Sequence, residues 1–98
     1  MSEHWDDDGY PTEEALQKVK EWDWKDPLGC FEFMQSMWRY DSFRREDRGD
    51  QTRFEISTFG WSGNESIIYA LEENAMMWAL CWFSSQRGGH YVFQATKK

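Results

Sequence analysis

The fold of this chain is decided by residues 60–74, which read GWSGNESIIYALEEN. Ser62 and Glu65 have the spacing of a capping box, in which each side chain bonds the backbone N–H of the other residue. The next residues place an apolar face opposite an acidic one, as in an amphipathic helix. The apolar face consists of Ile67, Ile68, Leu71 and Ala75, and the acidic face of Glu65, Glu72 and Glu73. Asn74 is a candidate left-handed cap at the end of this helix.

Strand patterns lie on both sides of this helix. Residues 53–59 alternate between apolar and polar, which predicts a strand. Residues 76–83 read MMWALCWF and are apolar on both faces, which is typical of a central strand. Residues 84–89 contain two glycines and predict a hairpin turn that leads into a strand over 90–95. The side chains of the central strand that we expect in the core are Trp78, Leu80 and Trp82.

Two helices are predicted before the first strand. Thr12 is the expected N-cap of the first, and its apolar stripe ends at Trp22. Asp26-Pro27 starts the second, because proline is favoured at the first helical position. That helix, over 27–40, is apolar on much of its surface and is expected in the core. The charged residues 41–52 predict an exposed loop.

The predicted order is ααβαββ, an α+β domain with a small, mainly antiparallel sheet. At 98 residues the chain has room for one domain. We expect that domain over 11–98, after an acidic mobile arm over 1–10. Neither a signal peptide nor an apolar run of membrane-spanning length is present, so a cytoplasmic location is expected.

The aromatic content, at 18% with seven tryptophans, is high for a chain of this size. It predicts a core built from rings, and it also allows some tryptophans to be exposed as interface anchors. Cys30 and Cys81 each lie in an apolar run, so both are expected as small buried side chains. Two cysteines do not make a disulfide framework.

The net charge is −7, with nine acids against three lysines in residues 1–26. This balance disfavours binding to nucleic acid or to an anionic membrane. Residues 39–53 carry five arginines, but four acids among them cancel most of that charge. The charge therefore favours a protein partner with a basic surface, such as a nucleic-acid-binding protein. The candidate protein-binding residues are Asp6, Asp7, Asp8, Glu13, Glu14, Trp22 and Trp24.

A small-ligand or nucleotide site is the alternative. Backbone N–H groups at a glycine-containing helix start attract anions, and the hairpin over 87–91 would close over such a group. Glu65 opposes an anion there, because it already places a negative charge at the helix start. The candidate ligand-binding residues are Trp61, Ser62, Gly63, Asn64, Arg87, His90 and Tyr91.

Catalytic and metal signals are weak. Residues 60–63 approach the G-x-S-x-G pattern of hydrolases, but the second glycine comes one position early. The large sheet of those enzymes does not fit in 98 residues. His4 lies near acids in the arm, yet no paired cysteine or histidine spacing of the zinc kind is present. We therefore predict no enzymatic activity, no metal site and no cofactor.

Three stretches carry a resemblance to a known group of proteins. They are residues 57–68 (STFGWSGNESII), 70–74 (ALEEN) and 78–93 (WALCWFSSQRGGHYVF), together with the Asp26-Pro27 helix start. This pattern resembles small accessory proteins of tailed phages and prophages of Gram-negative bacteria, over about two-thirds of the chain. The group has no established activity, so the resemblance implies no functional residue. It implies a context in which small phage proteins bind and inhibit host proteins, including defence systems such as CRISPR–Cas.

Overall fold

The computed structural model describes residues 10–39, 42–86 and 88–96, which contain four helices and four strands. The helices are α1 (Glu13–Lys20), α2 (Pro27–Ser36), α3 (Ser62–Glu73) and α4 (Ala75–Cys81). The strands are β1 (Phe43–Arg48), β2 (Gln51–Ser57), β3 (Trp82–Gln86) and β4 (His90–Thr96). The α+β class and the order of the predicted elements are confirmed. The chain adds β1 ahead of the predicted first strand and α4 after the predicted third helix.

The four strands form one antiparallel sheet in the order β1-β2-β4-β3. Side chains alternate between the two faces of a strand, so Phe54 and Ile56 share one face of β2 while Glu55 and Ser57 share the other. Phe31 of α2 stacks on Phe54 with ring centroids 4.5 Å apart, so the helices cover the first face. We call the second face, which carries Glu55 and Ser57, the open face.

Both predicted N-terminal helix starts are confirmed. The Thr12 hydroxyl accepts the Ala15 N–H at 3.1 Å. The Asp26 carboxylate accepts the backbone N–H of the third residue after it at 3.2 Å, and Pro27 is the first helical residue. α2 ends at Ser36, four residues before its predicted end. Each cap satisfies a backbone donor that a helix start otherwise leaves without a partner.

The core lies between the sheet and the helices and is built largely from rings and thioethers. Burial of each large apolar side chain contributes roughly 1.5–3 kcal/mol, and methionine fills gaps between rings of different orientation. The expected placement of the second helix in this core is confirmed. The apolar residues with no exposed surface are Val19, Cys30, Phe31, Met34, Met37, Phe54, Ile56, Ile67, Leu71, Met77 and Phe93.

The prediction of a central strand over 76–83 is wrong. Residues 76–81 belong to α4, and only Trp82 and Phe83 are in a strand, where they begin β3 at an edge of the sheet. Met77 and Cys81 are one helical turn apart and both buried, so Leu80 points away from the core and is 58% exposed. Trp82 is 45% exposed, and among the three expected core residues only Trp78 packs partly against the core.

The prediction of a loop over 41–52 is wrong for residues 43–48, which form β1, and for Gln51 and Thr52, which begin β2. β1 pairs with β2 from Phe43 opposite Ile56 to Arg48 opposite Gln51. The two-residue turn between them contains Gly49 at φ 63, a conformation that favours glycine. Five of the six residues in β1 are charged, so its sequence does not show the apolar alternation of a strand.

The capping-box prediction is wrong by one residue. Ser62 is the first residue of α3, and Trp61 is its N-cap without a side-chain capping bond. The Glu65 N–H donates to the Trp61 carbonyl at 3.1 Å. The shift follows from the preceding turn, where Phe59 and Gly60 have φ values of 54 and 72. After these two left-handed residues, Trp61 adopts the extended conformation and is the last residue before the helix.

Asn74 is not a left-handed cap, since its φ is −87. It ends α3 and begins α4, and its side-chain oxygen accepts the Met77 N–H at 3.3 Å. Its amide nitrogen donates to the carbonyls of Val19 and Trp22, each at 3.0 Å. Asn74 therefore joins the junction of two helices to the end of α1.

Candidate functional site

An apolar groove with a volume of about 460 Å³ lies on the surface of the described residues. It lies where the loop before α2, the end of α4 and the end of β4 meet. Trp24 is 41% exposed and Leu80 58% exposed, so large apolar side chains border the groove on two sides. The residues that line it are Trp24, Lys25, Pro27, Leu80, Cys81, Gln94 and Ala95.

β3 extends this apolar surface along one edge of the sheet. Trp82 and Phe83 are 45% and 53% exposed, and β3 contains no charged residue. The edge strand at the other side, β1, is charged at five of six positions. Charged side chains protect an edge strand against pairing with another chain. The two edges of this sheet therefore differ, and β3 is the one open to a further strand.

The predicted protein-binding residues divide between separate places. Glu13 and Glu14 are exposed in the first turn of α1, whereas Trp24 follows the other end of that helix. Trp22 is only partly exposed, because its ring lies 5.3 Å from that of Phe33 and packs against the core. The candidates Asp6, Asp7 and Asp8 lie outside the described residues. Only Trp24 of this set lines the groove.

The predicted ligand-binding residues at the start of α3 form packing contacts. Trp61 lies over Gly63, where a Cβ atom would come within 2.3 Å of the indole. Tyr10 and Arg39 also contact the indole, at 5.0 Å and 4.7 Å from its centre. Ser62 donates its hydroxyl to that of Tyr10 at 3.2 Å.

Asn64 is also occupied within the domain. It is fully buried, and its side chain bonds both the N–H and the C=O of Arg39, at 3.0 Å and 2.9 Å. Its amide nitrogen further contacts the Thr58 carbonyl at 3.4 Å. This asparagine therefore fixes the segment after α2 to the turn before α3, and its polar atoms face backbone groups of the fold.

The hairpin does lie beside that turn, since the Thr58 N–H donates to the Gly89 carbonyl at 3.0 Å. His90 and Tyr91 nevertheless point to opposite faces of β4, because consecutive strand residues alternate. Tyr91 lies on the face covered by the helices, with its ring centroid 6.3 Å from that of Trp78. Burial, followed by nearby Tyr69 and acidic residues of α3, raises the pKa of its hydroxyl. Arg87 lies outside the described residues. The described members of the predicted set are thus not gathered into one site.

His90 instead meets a residue that the sequence reasoning missed. Its Nδ1 lies 2.9 Å from the Ser57 hydroxyl, across the pair that joins the ends of β2 and β4. The serine of the G-x-S-x-G-like pattern, Ser62, lies on a different element, α3. The alternation of side chains along β2 predicts that Glu55 and Ser57 share one face. The pairing of β2 with β4, which brings His90 beside Ser57, cannot be predicted from sequence spacing.

The remaining reactive groups are buried or dispersed. Both cysteines are free and buried, and burial raises the pKa of Cys30 to about 12 and that of Cys81 to about 11. Within residues 10–39, 42–86 and 88–96, no group of three His, Cys, Asp or Glu side chains could hold a metal ion. In the same part of the chain, no helix is long and apolar enough to cross a membrane.

Comparison with known proteins adds no further constraint: no family model, curated protein or solved structure matches this chain. The candidate sites therefore rest on the geometry of the chain itself.

Proposed function

We propose that this domain acts by binding another protein, without catalysis, through the apolar groove and the adjoining edge strand β3. The observation that carries the proposal is the exposure of Trp24, Leu80, Trp82 and Phe83 around these two features. The resemblance to phage accessory proteins makes a host protein the proposed partner and its inhibition the proposed outcome. A defence complex that binds nucleic acid, as CRISPR–Cas effectors do, is the first partner to test.

The groove supports this proposal through the energetics of interfaces. Tryptophan is enriched among the residues that dominate binding energy, and these residues insert into or form pockets near the centre of an interface. A groove of about 460 Å³ is in the size range of binding clefts. It would accept large apolar side chains from a partner, and burial of the exposed part of Leu80 would contribute roughly 1–2 kcal/mol.

The edge strand supports a specific binding mode. Peptides often bind by adding a strand to an exposed sheet edge, where main-chain hydrogen bonds give affinity and neighbouring pockets select side chains. β3 offers such an edge, and the groove lies at its beginning, next to Trp82. We therefore propose that the partner supplies an extended segment that pairs with β3 and places apolar side chains in the groove.

Charge supports a basic partner. The chain has a net charge of −7, and complementary charge mainly raises the association rate. α1 is eight residues long, so its acidic first turn lies about 12 Å from the end that leads to Trp24. That separation exceeds the Debye length of about 8 Å at physiological salt. In this proposal the acids of α1 steer the partner, and the groove holds it.

The test compares the wild-type chain with Leu80→Gln and Tyr69→Gln. Tyr69→Gln is the matched control for Leu80→Gln, because the two side chains are almost equally exposed, at 59% and 58%. Leu80 lies at the groove, whereas Tyr69 lies on α3. Each tagged protein is used to capture binding proteins from lysate of a Gram-negative host, and the dissociation constant of each captured protein is then measured.

We expect at least one protein that binds wild type and Tyr69→Gln alike and loses about 10-fold or more in affinity, equivalent to 1.4 kcal/mol, for Leu80→Gln. Equal binding of all three chains would refute the groove as the interface. Small molecules that copurify with the chain are identified in parallel, because they would favour the alternative function of ligand binding.

A further inference from the structure

A second cavity, of about 230 Å³, lies on the open face where β2 ends and β4 begins. We call it the histidine notch. It is separate from the apolar groove, with which it shares no lining residue. The residues that line it are Ser42, Arg44, Glu55, Ser57, Phe59 and His90.

The histidine of the notch presents one ring nitrogen as a donor. Nδ1 of His90 lies 2.9 Å from the Ser57 hydroxyl, and among the described residues it is the acceptor within reach of that hydroxyl hydrogen. A neutral histidine that accepts at Nδ1 carries its hydrogen on Nε2. The Nε2–H group is therefore the part of His90 that donates to a ligand in the notch.

The backbone beneath this pair is held by a buried hydroxyl. The Ser42 hydroxyl donates to the Ser57 carbonyl at 2.6 Å and accepts the indole N–H of Trp38 at 3.0 Å. These two bonds use both the donor and an acceptor position of Ser42. They fix the end of β2, so Ser57 and His90 keep their places without a ligand.

The cationic side of the notch is Arg44. Among the described residues no carboxylate lies within ion-pair distance of its guanidinium, whereas Arg45, Arg48 and Arg53 each form a salt bridge. Glu55 lies opposite Arg44 in the strand pairing, but its carboxylate contacts Arg53 at 3.3 Å. The charge of Arg53 thus offsets that of Glu55, and Arg44 leaves the notch with a net positive charge.

The two donors approach the notch from opposite sides. β1 and β4 flank β2, and Arg44 lies opposite Glu55 whereas His90 lies opposite Ser57, two residues further along β2. Strand spacing and rise place the Cα atoms of Arg44 and His90 about 12 Å apart. Because both side chains line one cavity, a small ligand between them is within reach of both.

We propose that the histidine notch binds a phosphate group, either as inorganic phosphate or as the monoester of a small molecule. Arg44 supplies the charged contact, and charge-assisted hydrogen bonds to phosphate are strong. His90 donates from the other side. The oxygens of a tetrahedral phosphate point in several directions and accept from both sides at once, whereas the two oxygens of a carboxylate lie at one end. One available guanidinium matches one phosphate group rather than a polyphosphate chain.

The test titrates the 98-residue chain with inorganic phosphate, glycerol 1-phosphate, glycerol and acetate at constant ionic strength, followed by isotope-edited NMR. We expect inorganic phosphate or glycerol 1-phosphate to bind at millimolar concentration and to shift the amide signals of Ser57 and His90 and the side-chain signal of Arg44. Acetate and glycerol should bind at least 10-fold more weakly. Tighter binding of glycerol 1-phosphate would identify a monoester as the ligand, and tighter or equal binding of inorganic phosphate would identify the free ion.

The tautomer of His90 is a separate readout of the same geometry. At pH 8 an unperturbed histidine is mainly neutral, and a long-range proton–nitrogen correlation spectrum shows which ring nitrogen carries the hydrogen. The hydrogen of His90 should be on Nε2 in the phosphate-free chain, and the Nε2 signal should move when phosphate is added. A hydrogen on Nδ1 would overturn the proposal, because Nε2 would then lack the donor.

A variant and its control assign the charged contact. Arg44→Gln should weaken phosphate binding by about 10-fold or more, since it removes the charge-assisted bonds. Arg48→Gln removes the same charge from the same strand, but its guanidinium is already paired with Glu46 at 2.7 Å. This control should bind phosphate within about 2-fold of wild type. Both arginines are exposed, so the two variants should also have the melting temperature of wild type.

The proposal is overturned if neither phosphate compound binds at millimolar concentration, or if acetate binds as tightly as they do. It is also overturned if Arg44→Gln and Arg48→Gln have the same affinity for phosphate. Each of these results leaves the protein-binding function untouched, because the groove shares no lining residue with the notch.

Discussion

Asn74 allows the sharpest test of how this domain is held together. Its side chain makes three hydrogen bonds, one to the N–H of Met77 and two to the carbonyls of Val19 and Trp22. Loss of an N-cap costs about 1 kcal/mol, and each further buried bond about 1 ± 0.5 kcal/mol. Asn74→Ala should therefore lower the free energy of unfolding by about 2–4 kcal/mol. For a domain of this size the melting temperature would fall by roughly 10–25 °C.

Asn74→Asp separates the two roles of this side chain. Aspartate keeps the acceptor that caps α4, but it loses the amide donor and places negative charge beside the carbonyls of Val19 and Trp22. If the bonds to α1 matter, Asn74→Asp should be at least as unstable as Asn74→Ala. Urea unfolding followed by circular dichroism and tryptophan fluorescence measures both variants.

The control for this series is Gln17→Ala, which removes an exposed bond to Glu21 on the surface of α1. It should change stability by less than about 0.5 kcal/mol. The reasoning is refuted if Asn74→Asp unfolds at the same urea concentration as wild type, because capping alone would then account for the role of Asn74.

Two further predictions concern packing and thiol chemistry. In Gly63→Ala the new methyl group displaces the Trp61 indole, so the NOE contacts between Tyr10 and Trp61 should vanish. Because alanine has a higher helix propensity than glycine, part of the cost of this displacement is offset, and the free energy of unfolding should change by less than about 1 kcal/mol. Persistence of those NOEs would contradict the placement of the indole. Because burial raises the pKa of Cys30 and Cys81 to about 12 and 11, both thiols should resist disulfide-exchange reagents at pH 8 until urea unfolds the chain. The stability contributed by the protonated thiols should be fully present below the unfolded thiol pKa of about 8.5, and the free energy of unfolding should fall as the pH rises towards 11. Rapid labelling of both thiols in the native protein would contradict their burial.

The elements with clear local chemistry were predictable from sequence. Thr12 and Asp26-Pro27 mark helix starts through bonds within three residues, so the starts of the two N-terminal helices are correct. The strand prediction for residues 76–83 failed because a short apolar run fits a buried strand and a buried helix equally well. One signal was available: the run contains no β-branched residue, and Asn74 stands at its N-cap position.

The candidate sites are formed by tertiary contacts, which sequence spacing does not predict. Leu80 was assigned to the core with its strand, so its place at the groove became visible only once α4 was known. Ser57 and His90 are 33 positions apart and meet through the register of β2 with β4. Trp24 is exposed and lines the groove, and its predicted role in protein binding stays a prediction.

The unequal edges of the sheet have a consequence for stoichiometry. Fibres grow when every added subunit presents a fresh surface for the next one, as in head-to-tail assembly. Here β1 is closed to pairing by its charges, and only β3 can accept a strand. A segment that pairs with β3 leaves this chain no second edge open to pairing, so the chain itself accepts one added strand. We therefore expect a complex of one copy with one partner strand, and any self-association through β3 would end at a two-fold symmetric dimer.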